Sequence, residues 1–193
     1  MVHSQIAHTL DSAFHMLKHF EILPLVLKEK LLAEGYSGPE MIANLYEPGS
    51  RFATNFAQTI EELLDRLFNA SSYNVEEGLN GNLVVRAVFL SKKYGGEVGT
   101  CGVVAIDVLD QHLRSKLYRK KNRGVELWHV DVEKLPKTND FTVILKPTKE
   151  KFIFITAFPG PPAMPLPDSR LSKELFESSM AYWNKHVYLV QSG

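Results

Sequence analysis

Cysteine is almost missing from this chain. Its single one, Cys101, cannot close an intrachain disulfide, so packing and hydrogen bonding must hold the fold. Cys101 leads into the apolar run Gly102-Val103-Val104-Ala105-Ile106, where an inert buried thiol is expected in place of a nucleophile. No apolar run reaches the roughly 18–20 residues that a bilayer-spanning helix needs. The start, Met1-Val2-His3-Ser4-Gln5, is not a basic segment followed by a long apolar stretch, so no signal peptide is expected either. Net charge is absent too: 22 Lys and Arg balance 22 Asp and Glu, and any case for nucleic acid must rest on local patterning. There is no Walker loop, dinucleotide fingerprint, nucleophile elbow or zinc signature, and no cofactor is expected. His15 and His19 stand four residues apart, but no acid or cysteine lies at ligand spacing, so surface histidines are expected there and no metal site. With 45% hydrophobic and 23% charged residues, the expectation is a globular, cytoplasmic protein.

What is present changes grammar near residue 70. In residues 1–70, Ile6, Leu10, Phe14 and Leu17, then Phe20 and Ile22, recur at helical spacing. Pro24 permits a new start through residues 25–34, closed by Gly35, and a short helix is expected over residues 40–46. The strongest periodicity, Phe52, Phe56, Ile60, Leu63, Leu64 and Leu67, predicts a helix over residues 52–68. Thr59 with Glu62 inside it reads as a fortuitous match to a capping box. In residues 71–193 the runs 83–90, 98–108, 125–132, 141–145, 151–158 and 187–190 are short and β-branched or aromatic, as strands are. The polar link 146–151 predicts an antiparallel hairpin. Helices are expected over residues 109–119 and 172–185. The expected fold class is α+β: an N-terminal helical region, residues 1–70, then an antiparallel sheet with one or two packed helices, residues 71–193.

Four features carry candidate chemistry. Half of the ten prolines fall within residues 159–167, directly after the strand-like run 152–158, whose one polar side chain near its exit is Thr156. Proline fixes φ and lacks an N–H, so the sheet must stop there and a stiff loop must follow. Residues 112–123 carry Arg114, Lys116, Arg119, Lys120, Lys121 and Arg123 with no acid, a pattern that fits phosphate binding or a solvated helix end. Tyr118 supplies a stacking surface within it. His129 lies in a strand with Leu127 and Asp131 on its own face and Trp128 and Val130 on the other, suited to proton transfer or to a structural hydrogen bond. His186 sits at a helix-to-strand junction after Ser178, Ser179 and Tyr182.

This layout resembles the superfamily of small metal-independent ribonucleases that contains barnase, EndoU and the RelE-like and colicin-type RNase toxins. The resemblance covers about residues 80–190 and rests on architecture and residue types. It implies a constellation of His129, His186, Thr156 and Arg119 (or Lys121) on one sheet face, with RNA bound by Arg114, Lys116, Lys120, Lys121 and Arg123. Phe158 would stack on a base. The family's usual acidic general base has no clear counterpart, although Glu126 and Asp131 are available. The resemblance implies endoribonuclease action: one histidine takes the proton of a ribose 2′-hydroxyl and the other protonates the leaving 5′-oxygen. The competing class is a non-catalytic protein-binding or immunity-type module that docks a partner protein through the proline-rich loop 159–167.

Overall fold

The computed structural model describes residues 6–8, 16, 19, 50–89, 97–122, 125–167 and 171–192. The helices expected over residues 25–34 and 40–46 lie outside this set, as do most of the first expected helix and Arg123. In chain order the elements are β1 (Ile6–His8), β2 (Arg51–Phe52), α1 (Ile60–Phe68), β3 (Ser72–Glu77), β4 (Leu83–Val88), β5 (Gly99–Thr100), β6 (Val103–Ala105), α2 (Gln111–Arg114), β7 (Tyr118–Asn122), β8 (Val125–Val132), β9 (Lys137–Thr138), β10 (Asp140–Pro147), β11 (Phe152–Pro159), α3 (Lys173–Trp183) and β12 (His186–Gln191). The class is broadly α+β, with mixed rather than purely antiparallel sheets. The N-terminal helical segment is not supported: Ile6–His8 is a strand, and the α-helical residues described before residue 71 are Met16 and those of α1.

The chain forms two compact units interleaved in sequence, Met1–Thr100 with Lys137–Pro162, and Cys101–Pro136 with Ala163–Gly193. The expected boundary at residue 70 falls inside the first of these.

The first unit is built on the hairpin read from the sequence. β10 and β11 pair antiparallel, and the Thr148 N–H closes the turn on the Lys151 carbonyl at 2.8 Å. A bulge at Ile144/Leu145 skips Ile155, so Phe154 and Ala157 both turn to the core although their spacing is odd. The sheet order is β1-β11-β10-β4-β3, with β1 parallel to β11. α1 lays Ile60, Leu63, Leu64 and Leu67 against Val85, Ala87 and Val143 in one buried cluster. Four phenylalanines, Phe52, Phe56, Phe89 and Phe141, fill its centre.

α1 begins eight residues later than the periodicity predicts. Arg51 and Phe52 instead pair with Thr100 and Gly99 of β5, and a Cβ on Gly99 would lie 2.1 Å from the Arg51 carbonyl oxygen. Only glycine permits that approach. Thr59 is the cap: the Glu62 N–H donates to its Oγ1 at 3.1 Å, and the Glu62 carboxylate accepts the Gln58 N–H at 2.6 Å. The match of Thr59 with Glu62 was therefore structural, and such a cap contributes about 1 kcal/mol.

The second unit holds a four-stranded sheet of order β6-β12-β8-β7, in which β8 and β12 are parallel and the other pairs antiparallel. One face carries Val130, Val187 and Leu189 into a small core with Leu109, and Leu113 and Leu117 pack against it. The expected helix over residues 109–119 is reduced to the single turn α2. Asp110 caps its start, and the Arg114 guanidinium donates to the carbonyls of Leu109 and Asp107. From Tyr118 onward the chain is strand. α3 agrees with expectation, capped by Ser172. The end of the proline segment is fixed to it, because the Pro165 carbonyl accepts hydrogen bonds from Ser179 Oγ and Trp183 Nε1. Among the described residues, no helix is long and apolar enough to cross a membrane.

Candidate active site

Strand alternation and register settle which side chains share a face in the second unit. Tyr118 of β7 and Tyr188 of β12 flank His129 of β8 as direct cross-strand partners. His186 stands two residues before Tyr188 on the same face of β12, one diagonal step from His129, roughly 7–8 Å between backbone positions. Lys120 follows Tyr118 on that face, and Asp131 follows His129. The two histidines, one lysine and one aspartate thus occupy one side of a three-strand patch.

A chain of ring contacts runs through it. His129 is stacked between Tyr118 (5.7 Å between centroids) and Tyr188 (5.3 Å). Tyr188 stacks on Trp183 at 4.8 Å, Trp183 meets Tyr182 edge-on at 5.3 Å, and Tyr182 lies flat on His186 at 3.7 Å. These contacts hold both imidazoles in fixed planes.

Each imidazole is also held by one nitrogen. His129 Nδ1 is 3.0 Å from the Leu127 carbonyl and His186 Nδ1 is 2.8 Å from the Tyr182 carbonyl. A carbonyl only accepts, so in both rings Nδ1 carries the proton and the lone pair of the neutral form lies on Nε2. His129 is buried, yet among the described residues its Nε2 has no partner and no fully buried polar side-chain atom lacks one.

Burial lowers the His129 pKa below its ordinary 6.5, and the Lys120 charge adds to this; the Leu127 carbonyl and Asp131 oppose it. A neutral imidazole held by its Nδ1, with the lone pair on Nε2, is what proton abstraction requires. Burial, then the hydrogen bond to Asp131 at 3.0 Å, raises the Tyr118 pKa and keeps its hydroxyl protonated. Burial pushes Tyr182 up to about 12.

The lowered His129 value sets a pH dependence. The unfolded chain takes up the proton near 6.5 while the folded chain resists it, so stability is complete above 6.5 and falls as pH drops from there through the folded pKa. Urea unfolding is expected to show lower stability at about pH 5 than at about pH 7.5, and His129→Gln is expected to flatten the difference. An NMR titration midpoint for His129 at or above 6.5 would contradict the assignment.

The other expected site residues fall elsewhere. Arg119 pairs across β7/β8 with Trp128, on the face opposite His129, and its guanidinium lies over the indole at 4.3 Å. It is placed to stack and not to stabilise charge beside the histidines; Lys120 has that position. Lys121 shares the Arg119 side of β7. Arg114 is engaged by backbone carbonyls, and Lys116 is exposed in the turn before β7. Thr156 is on another sheet, in the first unit, buried with its Oγ1 3.8 Å from Met16 Sδ. Phe158 is half-buried in the same unit, its ring 6.0 Å from that of His19. Both belong to the packing of that unit.

His19 Nδ1 lies 2.9 Å from the Ser50 carbonyl, and His15 is outside the described residues. Cys101 is buried, with its Sγ 3.0 Å from the Val103 carbonyl. Sequence reasoning missed Tyr188 and the pairing of Lys120 with the histidine face. The signal for both is period-two alternation, in His186-Val187-Tyr188 and, once residues 118–122 are read as strand, in Tyr118-Arg119-Lys120. No protein-family model matches this chain, and neither a curated protein nor a solved structure is significantly similar to it.

Proposed function

We propose that the second unit is a metal-independent endoribonuclease of toxin-like type, acting on single-stranded RNA across β7, β8 and β12. The observation that carries this reading is the shared face of His129 and His186, with burial favouring the neutral form of His129 and its Nδ1 held by a carbonyl. In the proposed reaction His129 Nε2 takes the proton of a ribose 2′-hydroxyl, and the 2′-oxygen forms a bond to the adjacent phosphorus. The bond to the 5′-oxygen breaks, and His186, acting in its imidazolium form, gives that oxygen the proton on Nε2. The products are a 2′,3′-cyclic phosphate and a 5′-hydroxyl end. Lys120 offsets the negative charge that builds on the phosphorane oxygens. Tyr118, exposed at the sheet edge, offers a ring on which a base stacks; Lys116 attracts the backbone, and Arg119 and Lys121 add to the positive field of this edge from the opposite face.

The test is incubation with a broad panel of single-stranded RNAs in the presence of EDTA, with analysis of product ends. Cleavage leaving cyclic phosphates is expected; intact RNA across the panel would sink the reading. A second reading has one observation in its favour: Pro161, Pro162 and Pro165 are exposed although the Pro165 carbonyl is anchored. A stiff proline segment of that kind suits docking of a partner protein without catalysis.

A further inference from the structure

In the first unit, β3 forms one edge of the five-stranded sheet, and all six of its residues are exposed. Its register with β4 sets Tyr73 opposite Ala87 and Val75 opposite Val85, so these two side chains continue the core face of the sheet. The neighbours Val85 and Ala87 are buried in the cluster with α1, but Tyr73 is 68% and Val75 44% exposed. The apolar face thus runs on past its cover. Among the described residues, no strand pairs with the outer side of β3 either. The Gly78 N–H donates to the Asn82 carbonyl, and alternation from that bonded pair turns the backbone groups of Asn74 and Glu76 toward β4. Those of Tyr73, Val75 and Glu77 then point outward. Edge strands are commonly guarded by charge or proline along their length. β3 has no proline, and its two charges, Glu76 and Glu77, are confined to one end.

We propose that β3 is a self-pairing surface, and that its partner is β3 of a second copy of this chain, antiparallel about a two-fold axis at Asn74. That register sets Tyr73 opposite the second copy's Val75, a favourable aromatic and β-branched pair. It sets Glu76 opposite Ser72 and Glu77 opposite Ser71, so no two glutamates face each other. The outward N–H and C=O groups of Tyr73 and Val75 meet their counterparts in bonded pairs. A symmetric contact of this kind closes on itself as a dimer and leaves no further edge of the same type. The strand is short, so an affinity in the micromolar range is expected.

Sedimentation equilibrium at about 100 μM protein is expected to show a dimer that dissociates on dilution. Val75→Pro, which removes an outward N–H but no bond to β4, and Tyr73→Lys, which sets a charge against the second copy's Val75, are each expected to give a monomer with unchanged circular dichroism. Asn74→Cys provides the register. The two positions would form a non-bonded antiparallel pair with Cα atoms about 4.5 Å apart, within disulfide range. Mild oxidation is expected to cross-link Asn74→Cys rapidly, and neither Val75→Cys nor the parent chain, whose Cys101 is buried. A monomeric parent chain at that concentration, a dimer that survives both Val75→Pro and Tyr73→Lys, or failure of Asn74→Cys to cross-link would overturn the proposal.

Discussion

His129→Ala is expected to lower the rate of RNA cleavage by about 10²–10⁴-fold, and His186→Ala by a similar factor, since each removes one proton transfer of the same displacement. RNA binding is expected to stay within a few-fold in both variants, because backbone attraction rests on the cations of residues 116–121 and not on the imidazoles. Arg119→Ala supplies the contrast. Its guanidinium lies over Trp128 on the opposite face, so it is expected to weaken binding modestly and leave the cleavage step within a few-fold. Single-turnover cleavage in EDTA, with binding measured separately, checks all three. Full activity in either histidine variant would contradict the two-histidine mechanism, and a large loss of the cleavage step in Arg119→Ala would contradict the face assignment.

The second large effect concerns stability. Phe141 is completely buried at the centre of the first unit. It meets Phe56 and Phe52 edge-on, at 5.6 Å and 5.9 Å between centroids, and stacks on Phe89 at 5.9 Å. Its strand is paired on both sides, by β4 and β11, so the surroundings have little freedom to collapse into a void. Phe141→Ala is expected to cost about 3–5 kcal/mol, a large share of the 5–15 kcal/mol that typically separates folded from unfolded domains. Urea unfolding followed by circular dichroism measures it. A loss below about 1 kcal/mol would mean that the four-phenylalanine cluster is not the centre of this core.

Much of the fold was legible because local pattern and tertiary burial agree. The apolar run at Phe141–Leu145 lies in a central strand, the polar link before Phe152 is a hairpin turn, and the Ser172 cap opens a helix. Failures occur where a local pattern serves two structures. Phe52 and Phe56 have helical spacing with Ile60, yet Phe52 is a strand residue because Gly99 admits a neighbouring strand. The basic segment looks helical until Asp110 and Arg114 are seen to close one turn, after which Tyr118, Arg119 and Lys120 alternate across β7. Strand β3 was missed because its apolar alternation is only two residues long, Tyr73 and Val75, between polar neighbours. Parallel pairing of β8 with β12, and of β1 with β11, depends on long-range closure that local composition does not encode.

The candidate site follows the same division. Alternation within Val125–Val132 already placed His129 with Leu127 and Asp131. That His186 joins the same face required the β8/β12 register, which brings together segments 57 residues apart (186 minus 129). Thr156 and Phe158 entered the expected site through the resemblance, and the stiff loop after them was read as a wall of the groove. Both lie in the first unit, where the start of the loop is tied to the sheet: the Gly160 N–H donates to the Asp140 carbonyl, and the Gly160 carbonyl accepts from Thr142 Oγ1. Gly160 takes a φ of +97°, a conformation open to glycine and strained for other residues.

The most direct measurement screens RNA oligonucleotides for cleavage in EDTA and compares each substrate found with the same oligonucleotide carrying a single 2′-deoxy substitution at the scissile nucleotide. The account predicts cleavage of the first to a 2′,3′-cyclic phosphate and none of the second at that bond, because in the proposed reaction the nucleophile is the 2′-oxygen, deprotonated by His129. Equal cleavage of both, or no cleavage of any ribo-oligonucleotide, would contradict it.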